Sequence, residues 1–202
     1  MARLVATFTV LTLFAGAAGA PALKDPVPYL PTTVGSKWSY QYRGYAEDPK
    51  GHELVNVVTA VTRRDGMTIV SIAQLKNDGA VGDSFPTAES QDGVRYGYFS
   101  GENFIGCVWL LKLPAVTGTE WREHRDGMNE PLVREWYVIR RWERIRVPAG
   151  KFDAERVDVT KVDRNGTRGE QSFWYARGVG LVKSVYSTGQ SLELNSFTPG
   201  PK

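Results

Sequence analysis

Along most of the chain hydrophobic and polar positions alternate with a period of two. Trp38, Tyr40 and Tyr42 alternate with Lys37, Ser39, Gln41 and Arg43. On a strand successive side chains point to opposite faces, so the three aromatics share one face. Leu192 and Leu194 alternate in the same way with Ser191, Glu193 and Asn195. The segments 53–63, 67–76, 93–99, 107–113, 119–125, 132–147, 152–162, 170–176 and 179–187 are rich in Val, Ile, Thr, Tyr, Phe and Trp, which predicts strands. Turn signals separate them: Arg64-Asp65-Gly66, Asn77-Asp78-Gly79, Asp92-Gly93, Asp126-Gly127 and Asn165-Gly166. The stretch 77–92 is polar, contains Gly and Pro, and reads as a long loop. No segment beyond residue 20 shows a helical period. The pattern predicts an all-β fold: a curved antiparallel sheet, half-barrel or barrel, of about ten to twelve strands.

The pattern also repeats. LPTTVGSKWSYQYRG (30–44) lies over LPAVTGTEWREHRDG (113–127), matching Leu30 with Leu113, Pro31 with Pro114, Gly35 with Gly118, Trp38 with Trp121 and Gly44 with Gly127. Turn-and-strand segments follow in parallel, and DGVRYGYF (92–99) resembles RGVGLVKS (177–184). Two similar meanders, about 29–111 and 112–198, are expected. Neither can cover both faces of its own sheet, so a single domain over 21–202 is expected rather than two beads.

The first twenty residues break the period. Arg3, an apolar run and the small residues Ala18-Gly19-Ala20 read as a cleaved secretory signal peptide over 1–20. The chain is then expected to be secreted or periplasmic, with no later run apolar enough to make it an integral membrane protein. Its 25 Lys and Arg stand against 22 Asp and Glu, a net charge of +3. That small excess does not predict a nucleic-acid partner. The single cysteine, Cys107, excludes an internal disulfide. Its setting, FIGCVWLL, predicts a buried and unreactive thiol.

Several chemistries can be weighed by spacing. Pro148-Ala149-Gly150-Lys151 contains the Gly-Lys of a phosphate loop, but the position five residues before Gly150 is Ile145 rather than Gly. Gly178-Val179-Gly180 starts a dinucleotide fingerprint, but the position three beyond Gly180 is Lys183. Both segments run into strand-like sequence, not into a helix N-terminus, so no nucleotide is expected. His52 and His124 have no partner at metal-ligand spacing, and Gly97 to Gly101 is not a nucleophile elbow. No cofactor, metal or catalytic residue is predicted.

Two surfaces remain as candidates. The aromatic face of Trp38, Tyr40 and Tyr42 could hold an apolar ligand, with Trp121 and Glu123 at the matching positions of the second half. In LVREWYVIRRWERIRV, Arg134, Trp136, Arg140, Trp142, Arg144 and Arg146 share one parity, a basic and aromatic stripe fit for an anionic envelope partner. The motifs VGSKWSYQY, VPAGKFDAERV and FWYARGVGLVK resemble a family of secreted bacterial β-rich proteins. More distantly they are similar to the periplasmic lipoprotein-carrier (LolA-like) fold. That resemblance implies a curved half-barrel whose concave face holds acyl chains, and no catalytic residues. The expected function is a non-enzymatic protein binding an apolar or amphipathic ligand, such as a lipid, on a concave aromatic face. The alternative is an envelope interaction protein using the Arg/Trp strand, with a hydrolase a distant third.

Overall fold

In the computed structural model the described residues are 27–44, 48, 50–76, 78–125 and 133–201. The expected signal peptide and the Asp126-Gly127 turn lie outside them. Twelve strands form one antiparallel sheet that curls into a nearly closed barrel. The first half supplies β1 (Lys37–Arg43), β2 (His52–Arg64), β3 (Met67–Leu75), β4 (Val81–Ser90), β5 (Gly93–Ser100) and β6 (Asn103–Lys112). The second half supplies β7 (Glu120–Arg125), β8 (Val133–Val147), β9 (Gly150–Val162), β10 (Arg168–Ala176), β11 (Gly180–Tyr186) and β12 (Ser191–Thr198). Among the described residues there is no helix.

The order is β6-β5-β4-β3-β2-β1-β12-β11-β10-β9-β8-β7, so apart from β6 and β7 every strand lies beside its sequence neighbours. β1 pairs with β12 from Lys37↔Thr198 to Arg43↔Ser191, which closes the meander on one side. β6 and β7 are the two edges, and they face each other without a ladder.

Three details differ from the sequence expectation. Residues 81–90 form β4 rather than a loop. Its Pro86 lies just beyond the β4–β5 pairing, which spans only Thr87 to Ser90, so the missing N–H is tolerated there. β6 begins at Asn103, earlier than predicted. Cys107 is exposed, not buried. The outer part of the β5–β6 hairpin projects past the end of the β4–β5 pairing, which stops at Tyr96, and Tyr98, Phe99 and Ile105 are exposed as well, so apolar neighbours in sequence do not cover the thiol.

Bulges bend the two long hairpins. β2 shifts register between Val58 and Ala60, and β8 between Ile139 and Trp142. Beyond its bulge the β8–β9 turn docks on β12, where the Ala149 N–H donates to Leu194 O at 3.0 Å. Beyond the other bulge, Arg64 at the end of β2 donates through Nη1 to Glu102 O at 2.9 Å, beside the start of β6. The Gly150 and Gly178-Val179-Gly180 segments are corners of the sheet. Gly178 and Gly180 take φ of +74° and +85°, which only glycine adopts cheaply, and the chain continues as β11.

Residues 27–36 cross the barrel before β1 begins. The Tyr29 and Leu30 N–H groups both donate to the Glu89 carboxylate at 2.8 Å. The Gly178 N–H donates to Pro28 O at 2.6 Å, and the Arg177 guanidinium sits 4.5 Å over the Tyr29 ring. This strap is thereby tied to β4 on one side and to the β10–β11 turn on the other, and it buries Tyr29 and Leu30.

Candidate functional site

The barrel interior is filled on one side and hollow on the other. Beside β7 to β9 it is filled by the buried side chains of Trp121, Tyr137, Ile139, Val157 and Val159. Trp121 stacks on Tyr137, ring centroids 5.0 Å apart.

Between the first half and β10–β12 lies a cavity of about 250 Å³. Trp38 and Tyr40 enter it from β1, and Asn56, Ile72 and Phe85 from the next three strands. Phe173 and Tyr175 line it from β10, Leu181 from β11 and Leu192 from β12. Tyr29 and Leu30 of the strap line it as well, and no described side chain of β7, β8 or β9 does. Beyond Tyr29 lies a separate polar cleft that includes Lys151, Asp153, Glu155 and Arg177.

The alternation in β1 accounts for this placement. Trp38 and Tyr40 face inward, and each polar tip finds a backbone acceptor across the barrel wall. The Trp38 indole N–H donates to Val179 O at 2.7 Å, and the Tyr40 hydroxyl donates to Leu181 O at 2.8 Å. β11 pairs with β12 only through Lys183, Ser184 and Val185, so these side chains bridge the gap where the two strands diverge. Burial pushes the phenols of Tyr40 and Tyr175 above the usual range, and both stay neutral. Tyr29 is pushed up to about 12 by burial, with the Arg177 guanidinium opposing the shift.

The other sequence candidates lie elsewhere. Tyr42 is outside the cavity lining and stacks on His52 at 5.3 Å. Trp121 and Glu123 close the β6/β7 seam. The Trp121 indole donates to Trp109 O at 3.2 Å, and Glu123 Oε1 accepts the Trp109 N–H at 3.3 Å. Thus both backbone groups of one edge residue are satisfied by side chains in place of a ladder. Arg95 lies 3.6 Å over the Trp109 ring. Burial raises the Glu123 carboxyl above its usual range, with the Trp109 N–H and Lys112 pulling the other way. Its cross-strand neighbour Glu135 is only 1% exposed, receives the Tyr137 hydroxyl at 2.5 Å and lies 3.0 Å from Lys161 Nζ.

On the basic stripe, Arg134, Arg140 and Arg144 are exposed, Trp136 is half-buried and Trp142 is 53% exposed. Much of its charge is already matched. Arg140 bonds Asp158 at 2.8 Å, and Arg144 grips Asp153 at 2.7 and 3.1 Å. Sequence reasoning did not single out Asn56, Phe173, Tyr175 or the strap residues Tyr29 and Leu30. Only the Tyr-Leu pair between Pro28 and Pro31, ahead of the first strand, hinted at a buried plug. Among the described residues no cluster of three His, Cys, Asp or Glu could hold a metal, and no helix is long and apolar enough to cross a membrane.

No protein-family model matches the chain, and no curated protein matches it. Solved structures share its fold. A candidate lipoprotein of Parabacteroides distasonis superimposes with a TM-score of 0.56 at 16% identity, covering 87% of this chain and 100% of that one. A candidate exported protein of Bacteroides fragilis, described as having a YmcC-like fold, gives 0.51 at 14% identity, covering 86% of this chain and 100% of that one. At these identities the likeness extends to the fold alone.

Proposed function

We propose that this chain is an extracytoplasmic, non-enzymatic protein that holds one small apolar or amphipathic ligand inside the barrel. The observation that carries the reading is the cavity of about 250 Å³, walled by Trp38, Tyr40, Phe85, Phe173 and Leu181. A barrel needing only stability would fill that space, as the β7–β9 side does. The candidate lipoprotein and the candidate exported protein that share the fold, together with the leader-like residues 1–20, support export. The absence of any charged side chain among the described residues of the cavity lining supports a binding role over a hydrolytic one. The Arg/Trp strand is the weaker candidate, because Arg140 and Arg144 are paired to Asp158 and Asp153.

The volume limits what enters. It exceeds the roughly 150 Å³ of a cavity that takes benzene, and it lies below the roughly 300–1,000 Å³ of sites for drug-sized ligands. A multiply acylated cargo does not fit within it. Native mass spectrometry of the protein purified from its own envelope tests the reading. A co-purifying small ligand is expected on the wild type and should be absent from Leu181→Trp, which fills the cavity. A ligand retained equally by both would place it elsewhere and reject the reading.

A further inference from the structure

The cavity is apolar, but it is not featureless, and its few polar groups define a class of ligand. Among the described residues that line it, none is Asp, Glu, Lys, Arg or His. Trp38 and Tyr40 have spent their donors on Val179 O and Leu181 O. Five polar side chains remain in the lining: the Asn56 amide from β2, the Thr87 hydroxyl from β4, and the hydroxyls of Tyr29 in the strap, Tyr96 on β5 and Tyr175 on β10. Among the described residues none of these five side-chain polar groups has a hydrogen-bond partner, and the amide alone among them offers both two donors and an acceptor. Asn56 stands directly opposite Trp38 in the β1–β2 ladder. An amide both donates and accepts, so it can satisfy an alcohol, a carbonyl or an amide.

We propose that the cavity selects an uncharged ligand: one apolar body of roughly eight to ten non-hydrogen atoms, at about 30 Å³ each, carrying a single hydrogen-bonding group that meets Asn56. This rests on the reading of the cavity as a ligand site and names the chemistry it takes. An ionised head group would lose its water and find no opposite charge in the lining. An acid therefore enters only as its protonated form, and a phosphate or quaternary ammonium head does not enter. Leaving the Asn56 amide unmatched would also be costly, so a pure hydrocarbon is a poorer ligand than its alcohol.

The test is a titration of the 15N-labelled protein with 1-octanol and with octanoic acid, at pH 5 and pH 8. It follows the Trp38 indole N–H, which reports from the cavity wall. The phenols of Tyr29, Tyr40 and Tyr175 stay neutral across this range, so octanol should bind equally well at both pH values. Octanoate should bind at least about 100-fold more weakly at pH 8 than at pH 5, because a carboxyl with an ordinary pKa loses about tenfold of its neutral form per pH unit. Asn56→Leu should weaken octanol about 3- to 10-fold, the worth of one net hydrogen bond, and leave toluene binding unchanged. Octanoate binding as tightly as octanol at pH 8 would put the head group in water and overturn the proposal while keeping the cavity reading. Equal losses of octanol and toluene in Asn56→Leu, or no loss of octanol, would overturn the Asn56 contact. If neither octanol nor octanoic acid moves the Trp38 resonance, the cavity reading itself falls.

Discussion

The segments around Trp38 and Trp121 start from the same frame and end in different work. Gly35 and Gly118 both take positive φ, +83° and +88°. Ser36 and Thr119 each donate an N–H back three residues, to Thr33 O and Val116 O. Gly35 then donates to Val58 O and Val58 to Ser36 O, while Gly118 donates to Ile139 O and Ile139 to Thr119 O. Each acceptor sits just before the bulge of its long strand. The two segments thus share one local hydrogen-bonding scheme. The contrast lies in what β1 and β7 border. β1 is paired on both sides, so Trp38 and Tyr40 can line a cavity. β7 is an edge, and where Tyr40 stands in the first half, Glu123 stands in the second. Trp121 and Glu123 bind the backbone of Trp109 and take the place of a ladder. A strand with two neighbours can leave its inner face for a ligand, whereas an edge strand spends its side chains on closure.

The largest test of this contrast compares two deletions of buried indoles. Trp38 is 3% exposed and Trp121 6%, so burial alone predicts equal losses. The surroundings do not. Trp38 is clamped between paired strands and the wall cannot collapse, so Trp38→Ala should cost about 3–5 kcal/mol in denaturant unfolding. β7 can relax inward at the seam, so Trp121→Ala should cost at least about 1 kcal/mol less. If the seam variant proves the more damaging, β7 is as constrained as β1 and the comparison fails.

A smaller effect concerns how each half begins. Ahead of β1 the strap is held by Glu89, which accepts from both Tyr29 and Leu30. Ahead of β7 the matching segment turns on itself, Val116 donating to Pro114 O. Glu89→Ala leaves two backbone donors unpaired and should destabilise by about 1–3 kcal/mol. Hydrogen exchange should speed up at Tyr29 and Leu30 while Val116 and Thr119 stay as they were. Exchange that rises equally at both segments would mean that the straps open together, as one unit.

Most of the wall was legible because strand periodicity, turn residues and the Leu-Pro…Gly…Trp recurrence are local. Trp38 and Tyr40 were legible as a face for the same reason, whereas Tyr42, in phase with them, ends beside His52 outside the cavity. The cavity's far wall was not legible. Phe173, Tyr175 and Leu181 come from strands more than 130 residues away and meet β1 only because the meander closes through β12. β4 was hidden by Gly82, Asp83, Ser84 and Pro86, residues that weaken a strand signal and that β3 pairing overrides. The exposure of Cys107 was hidden because its neighbours are apolar, and only the projection of the β5–β6 hairpin decides it. The Arg stripe could be read as a stripe, but its acidic partners Asp153 and Asp158 lie on the adjacent strand.

The smallest and most discriminating effect should come from Glu123. Its carboxyl is raised in the folded state, chiefly by burial at the seam. The folded form therefore holds its proton more tightly than the unfolded chain does. That contribution to stability is complete below the ordinary carboxylate pKa and is lost as pH rises through the raised value. Gln keeps a carbonyl oxygen for the Trp109 N–H but cannot ionise. The difference in unfolding free energy, Glu123→Gln minus wild type, should therefore grow in favour of Gln between about pH 4 and pH 7. The side chain is only partly buried, so water screens it and the gain should stay below about 1 kcal/mol. The matching variant Tyr40→Phe should show no such pH dependence, because the Tyr40 phenol stays neutral throughout. A flat difference for Glu123→Gln would mean that the seam is wet enough to carry a carboxylate without cost, and β7 would then be an open edge rather than a closed one.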